Sequence, residues 1–232
     1  MRMKKQLVSI VYIFILMVPG MTFLYGQTDS IRKVPYNQDF KFKEGIYLNF
    51  EQVKNNVPIP KSRVITNIDF NDSQFFDNVL SGQVFSFYDQ LGLKKDVSVN
   101  SVWGYSKNGL LFVRMDKVFN RISYIGSISH FIATIVSYNS RYYDPYYYNP
   151  YYYYRGGSMP SSYSTNEMRQ FILDFDSGKI MDYDEESIEV LLMKDPELHD
   201  EYVALSKKKK SQLKFVYIRK FNERNPLMIP LN

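Results

Sequence analysis

The chain reads as an α+β protein, an antiparallel β-sheet, curved or partly closed, followed by C-terminal helices. Three observations carry that reading: short β-branched and aromatic runs separated by turn residues between 64 and 136, an Asn108-Gly109 dipeptide between two such runs, and a change to helical spacing after residue 184. Hydrophobic residues make up 45% of the 232 and charged residues 23%, a globular balance.

The first 26 residues form an export signal. Arg2, Lys4 and Lys5 are a basic leader, residues 7–24 are uncharged and apolar, and Leu24-Tyr25-Gly26 presents a small residue before Gln27, where a peptidase would cut. The competing reading is an uncleaved anchor, because about 18 apolar residues just span a bilayer. Pro19-Gly20 and the polar run Gln27-Thr28-Asp29-Ser30 favour cleavage. The absence of cysteine excludes a lipoprotein, disulfides, thiol nucleophiles and thiolate metal sites. Removing residues 1–26 leaves 206 and takes the formal charge from +5 to +2, so the basic character largely belongs to the leader.

Residues 27–44 are polar without a period and read as a flexible mature N-terminus, with a single α+β domain over 45–232. Gly45 to Leu48 is a short strand. Asn49 with Gln52 is an N-cap and its partner for a turn of helix through Phe50 and Val53, ended by Asn55-Asn56 and Pro58-Ile59-Pro60. Strands follow at Val64 to Ile68, Val84 to Tyr88 and Val97 to Val99. Asn108-Gly109 joins Val102 to Tyr105 with Leu111 to Arg114 as a hairpin. A further pair runs through Arg121 to Ile125 and Phe131 to Val136.

Residues 138–163 are a tyrosine-rich, proline-punctuated segment of low complexity, read as a long loop between strands. Tyr146, Tyr147, Tyr148, Tyr151, Tyr152, Tyr153 and Tyr154 are its ligand-binding candidates, because a phenol offers an apolar face and a hydroxyl at low entropic cost. The opposing reading is a function-neutral insertion. The strand pattern resumes from Met168 to Phe175, turns at Asp176-Ser177-Gly178-Lys179 and returns through Ile180 to Tyr183. Asp184 caps a helix bearing Ile188, Leu191 and Leu192. Asp195-Pro196 opens another, whose apolar stripe through Leu198, Tyr202, Leu205, Leu213, Val216, Tyr217 and Phe221 continues past four lysines to Asn225-Pro226.

Segments 45–56 (GIYLNFEQVKNN), 173–180 (LDFDSGKI), 195–198 (DPEL) and 215–223 (FVYIRKFNE) resemble the recurring blocks of uncharacterised exported proteins of Bacteroidota. The resemblance implies a Gram-negative envelope context and supplies no activity, cofactor or catalytic residue. No glycine-rich sorting domain of the kind that phylum uses for surface secretion is visible, so the implied destination is the periplasm.

Chemistry is sparsely signalled. Residues 174–201 hold eleven acids against Lys179 and Lys194, and the following stretch is basic. Lys207, Lys208, Lys209 and Lys210 are a basic patch for anionic glycans, lipopolysaccharide or nucleic acid, or else a solvated helix face. Asp174, Asp176, Asp182 and Glu185 fall at positions one, three, nine and twelve of a calcium-loop spacing, but Gly178 and Lys179 occupy the fifth and sixth, where an oxygen ligand and a glycine belong. A hairpin turn is the competing reading. His130 and His199 share no feature that brings them together, and no nucleophile elbow, phosphate loop or His-Glu-x-x-His helix is present. The expectation is therefore a non-enzymatic binding or structural module of the envelope, its partner an envelope protein or a glycan, with no cofactor, no nucleic acid and no membrane contact except through an uncleaved signal. Two alternatives stand beside it, a carboxylate-dependent hydrolase of glycans or peptidoglycan and an adhesive or assembly module acting through the tyrosines.

Overall fold

Twelve strands in antiparallel sheets and five helices make up the computed structural model, which describes residues 32–139 and 163–230. The largest sheet has seven strands, in the order β11-β10-β9-β8-β7-β6-β2, and is not closed. Its members are β2 (Gly45–Tyr47), β6 (Gly104–Lys107), β7 (Leu110–Met115), β8 (Val118–Tyr124), β9 (Ile128–Asn139), β10 (Tyr163–Asp174) and β11 (Ile180–Asp182). From β6 to β11 each neighbour in space is also the neighbour in sequence, because every connection is a reversal short enough to pair at once or, between β9 and β10, one that returns beside the strand it left. The reversals between β6 and β7, β8 and β9, and β10 and β11 are those the sequence marks, whereas the turn at Asp116 and Lys117 between β7 and β8 is not marked there. At the tightest, Asn108 and Gly109 both take positive φ, 53° and 77°, as a two-residue turn matched to strand twist requires.

Alternation along the strands divides the core between two faces. Leu111, Val113, Phe131, Phe171 and Leu173 point to one face and bury against Phe42, Tyr47, Phe175 and Ile229. The opposite face is shared. Towards β2 and β6, Ile46 and Tyr105 pack under a three-stranded sheet, β3 (Val64–Ile65), β4 (Val84–Tyr88) and β5 (Lys94–Ser98), with Phe85 and Phe87 turned inward. Towards β9 and β10, Ile128 and Ile172 pack under helices. Full burial of each such side chain stabilises by about 1.5–3 kcal/mol, so each of the three clusters adds to the stability of the fold. Phe76, Tyr105 and Phe112 stack with centroids 5.0 and 4.7 Å apart, and the Tyr105 hydroxyl donates to Asp77 Oδ1 at 2.8 Å.

The helices begin where the caps place them. In α1 (Phe50–Lys54) Asn49 Oδ1 accepts from Gln52 N at 2.9 Å, while Gln52 Oε1 reaches back to Leu48 N at 2.6 Å. Asp184 caps α3 (Glu185–Leu192) through Ser187 N, and Asp195 caps α4 (Pro196–Val203) through Leu198 N.

Four features depart from the sequence reading. Residues 33–44, expected to be flexible, belong to the fold: β1 (Lys33–Pro35) pairs with β12 (Met228–Pro230), and Phe42 is 2% exposed. The apolar anchors there are too widely spaced to give a period. The region 64–136 contains a helix, α2 (Phe75–Val79), whose Phe75, Phe76 and Val79 are buried and whose aromatic content reads equally well as strand. The helix expected to run on past the lysines stops and restarts, because Ser206 is extended at ψ 152° and opens α5 (Lys207–Arg224) as a separate element. In α5 it is Ile218, with Tyr217 and Phe221, that faces the core, whereas Val216 is 43% exposed. The tyrosine-rich stretch lies outside the described residues except where Tyr138, Asn139 and Tyr163 belong to β9 and β10.

Gly104 has no room for a side chain, since an added methyl group would overlap the Phe112 carbonyl and approach Val113 Cα, both backbone atoms of the paired strand. Gly104→Ala is therefore expected to destabilise the protein by about 2–4 kcal/mol, read from urea unfolding followed by circular dichroism.

Candidate functional site

A cleft of about 400 Å³ lies at the end of the sheet where β10 finishes and β9 begins. One wall is the turn after β10. Asp174 ends the strand and folds the turn onto itself, its Oδ1 accepting from Asp176 N at 3.2 Å and its Oδ2 from Ser177 Oγ at 2.6 Å. Gly178 closes the turn at φ 79°, a left-handed conformation that glycine adopts without strain, and a methyl group there would strike Phe50. Phe50 in turn packs edge-on against Phe175 with centroids 5.3 Å apart, which fixes α1 beside the cleft. Lys54 from α1 donates to the Asp176 carbonyl at 2.9 Å.

The facing wall comes from the start of β9 and the end of α5. Asn222 Oδ1 accepts from Ile128 N and its Nδ2 donates to Ile128 O, each at 2.8 Å, so one amide side chain substitutes for a neighbouring strand. Ser127 Oγ donates to Asn225 O at 2.6 Å. Asn225 Nδ2 donates to Asp195 Oδ2 at 3.2 Å, and Arg224 Nε lies 2.9 Å from the same carboxylate. Leu227, Met228 and Lys33 complete the rim.

Charge in the cleft is balanced. Lys33, Lys54 and Lys194 line it together with Glu51, Asp174 and Asp176. Lys194, set between α3 and α4, places Nζ 2.9 and 3.0 Å from the two oxygens of Asp174 and 3.4 Å from Asp176 Oδ2. Burial raises the Asp174 pKa, but the hydrogen bonds from Ser177, Lys194 and the Asp176 amide outweigh it, and the carboxyl ends below its ordinary range. For Lys194 desolvation lowers the pKa, and the hydrogen bond and charge of Asp174 more than restore it, so the ammonium is held above its usual value. An acidic proton donor is thus absent at Asp174; what the site offers is a fixed pattern of donors and acceptors.

Of the calcium-spaced residues, Asp174 and Asp176 meet in this cleft, but around the Lys194 ammonium. Asp182 stands exposed on β11, and Glu185 sits in the first turn of α3, its carboxyl lowered chiefly by a hydrogen bond from Ser211. Among the described residues no three acidic or histidine side chains gather as metal ligands. The spacing belongs to a hairpin turn, as the two-residue period of Phe171, Leu173 and Phe175 requires.

Lys207, Lys208 and Lys209 are exposed on the first turn of α5, while Lys210 bends inward, 2.8 Å from Glu189 Oε2 and over the Tyr202 ring. The two histidines remain apart in role. His130 bonds Gln170 Oε1 at 3.0 Å against Tyr183 and Phe215, and burial lowers its pKa; His199 lies 3.5 Å from Asp200. Tyr146 to Tyr148 and Tyr151 to Tyr154 lie outside the described residues. Ser127, Lys54, Asn222 and Asn225 were not marked as site residues by the sequence, since the first three bond backbone groups, and Asn225 the Asp195 carboxylate, far away in the chain. Lys194 did carry a signal, as one of only two bases among the eleven acids of 174–201. No family model, curated protein or solved structure matches the chain.

Replacing Lys194 by Met leaves the Asp174 carboxylate, 9% exposed, without its cation. The variant is expected to lose about 2 kcal/mol at pH 7 in urea titration, a value reduced because Ser177 and the turn amide remain. The folded pKa of Asp174 lies below its unfolded value near 3.9, so its contribution is complete above about pH 4 and is lost as pH falls through the lower folded value. Wild type should therefore lose stability below about pH 4 more steeply than Lys194→Met, and the two curves should converge in acid.

Proposed function

We propose that the chain is exported, that its mature form begins at Gln27, and that it serves in the periplasm of a Gram-negative envelope as a non-enzymatic module binding a small polar ligand without net charge, of the glycan class. The observation that carries this reading is the cleft with three ammonium and three carboxylate side chains around one mouth. A strongly charged ligand gains nothing from a wall of zero net charge, whereas a ring of hydroxyl and amide groups finds a donor or an acceptor at every position. The fixed Asp174–Lys194 pair and the Phe50–Phe175 packing keep the walls in place without a ligand, which lowers the cost of binding one. The lowered carboxyl of Asp174 does not suit it to the general-acid role in the hydrolase alternative. The basic leader and apolar core of residues 1–26, and the resemblance to exported proteins of Bacteroidota, support the compartment.

A second reading, assembly through the tyrosine-rich segment, has one observation in its favour. β9 and β10 pair over all twelve residues, which brings Asn139 opposite Tyr163 and anchors both ends of that segment side by side.

Two measurements test the first reading. Expression of the whole chain in a Gram-negative host should release a periplasmic protein whose intact mass corresponds to a start at Gln27; a chain confined to the cytoplasm would refute export, and a membrane-bound chain with its leader retained would refute cleavage. Calorimetric titration with fully N-acetylated chito-oligosaccharides, which carry no charge, should show binding that falls by about tenfold in Lys54→Ala/Asp176→Ala, with unfolding temperature little changed because the Lys54 and Asp176 side chains are partly and largely exposed. Absence of heat with these sugars would remove the glycan assignment.

A further inference from the structure

The tip of the β4–β5 hairpin exposes more apolar surface than its position in the fold explains. Leu91 is 84% exposed, the highest value for any large apolar side chain among the described residues, and Leu93 and Tyr88 beside it are 55% and 48% exposed. The turn that carries them is held by its own chemistry. Asp89 Oδ1 accepts from Leu91 N and from Leu93 N, both at 2.9 Å, Asp89 N donates to Leu93 O at 2.9 Å, and Gly92 supplies the left-handed residue at φ 77°. Behind the turn Phe85 and Phe87 are buried, so the hairpin is anchored in the core and presents its leucines on a stiff support.

Two lysines stand beside this tip. Lys94 lies directly across from Tyr88 and Lys95 across from Phe87, which puts one lysine on each face of the hairpin. Exposed Arg63, the last residue of a 3-10 turn, immediately precedes β3, whose Val64 pairs with Phe87. Lys94 and Lys95 are 57% and 52% exposed, and each has a carboxylate nearby, Asp96 3.5 Å from Lys94 and Asp89 3.9 Å from Lys95.

A convex tip with two leucines cannot receive a ligand, and it needs a partner that yields around it. We propose that the β4–β5 tip is a membrane-contact site, inserting Leu91 and Leu93 into the headgroup–acyl boundary of a bilayer that carries anionic lipids, with Tyr88 at the interface and Arg63, Lys94 and Lys95 at the level of the phosphates. The apolar stems of the lysines lie along the inserted surface while the ammonium groups stay wet, and the stiff turn loses little entropy on insertion. Two leucines give weak, reversible binding that is strengthened by anionic headgroups and screened by salt. The site is independent of the cleft and of leader cleavage.

The test is co-sedimentation of residues 27–232 with vesicles of phosphatidylcholine alone and of phosphatidylcholine with phosphatidylglycerol. Every strand, helix and core cluster described above lies within residues 33–230, so the leader, which would itself bind lipid, can be omitted. The expected result is binding to the mixed vesicles, several-fold weaker on phosphatidylcholine, reduced by about tenfold or more in Leu91→Ser/Leu93→Ser at unchanged unfolding temperature. Lys207→Gln/Lys208→Gln/Lys209→Gln serves as a control that should retain most of the binding. Absence of sedimentation with either vesicle, equal binding by the serine variant, or loss in the lysine control alone would each overturn the proposal.

Discussion

The amide of Asn222 is the interaction on which most of the architecture depends. Its two hydrogen bonds to Ile128 tie the last helix to the first residue of β9, and they do so where the sheet has no neighbouring strand to satisfy that backbone. Gly126 is a glycine for the same reason, since a methyl group there would displace the Asn222 side chain. Once α5 is fixed, Phe221 and Ile218 cover Ile128 and Ile172, and α3 and α4 close over the same cluster. The cleft is the remainder of that docking, the space left between a helix end and a strand turn that meet through one amide.

Polar groups in this molecule work mostly by terminating elements. Asp174, Asp184, Asp195 and Asn49 each accept backbone N–H groups at the end of a strand or start of a helix. Asp174 and Asp195 are also buried and each is met by a cation, Lys194 and Arg224. The acid-rich stretch 174–201 is therefore largely a set of caps with local counter-charges, and its resemblance to a ligand loop arises because caps and calcium loops draw on the same residues.

Local signals were legible and distant ones were not. Asn108-Gly109, Asn49 with Gln52, and Asp195-Pro196 state their geometry within four residues, and each is found in place. Phe75 to Val79 carry side chains that serve a strand or a helix equally, and only the core formed with Tyr105 and Phe85 selects the helix. Phe42 and Ile229 join one cluster from opposite ends of the described chain, a relation that no window of sequence contains. The cleft is of this kind, since Lys54, Ser127, Lys194 and Asn225 converge only after the sheet and helices have packed. The hairpin tip is legible in part: Leu91-Gly92-Leu93-Lys94-Lys95 stands in the sequence, but its exposure follows from the burial of Phe85 and Phe87 behind it.

The pairing of β1 with β12 sets an order on how the chain acquires its structure. Val34 lies beside Ile229, and Ile229 is 1% exposed within a cluster that also needs Phe42 and Phe131. A nascent chain still missing its final stretch can form hairpins and helices, yet it cannot complete that cluster, and closing so long a loop is slow. The interval before closure is a period in which Phe42, Phe131 and their neighbours stand without the last strand that covers them.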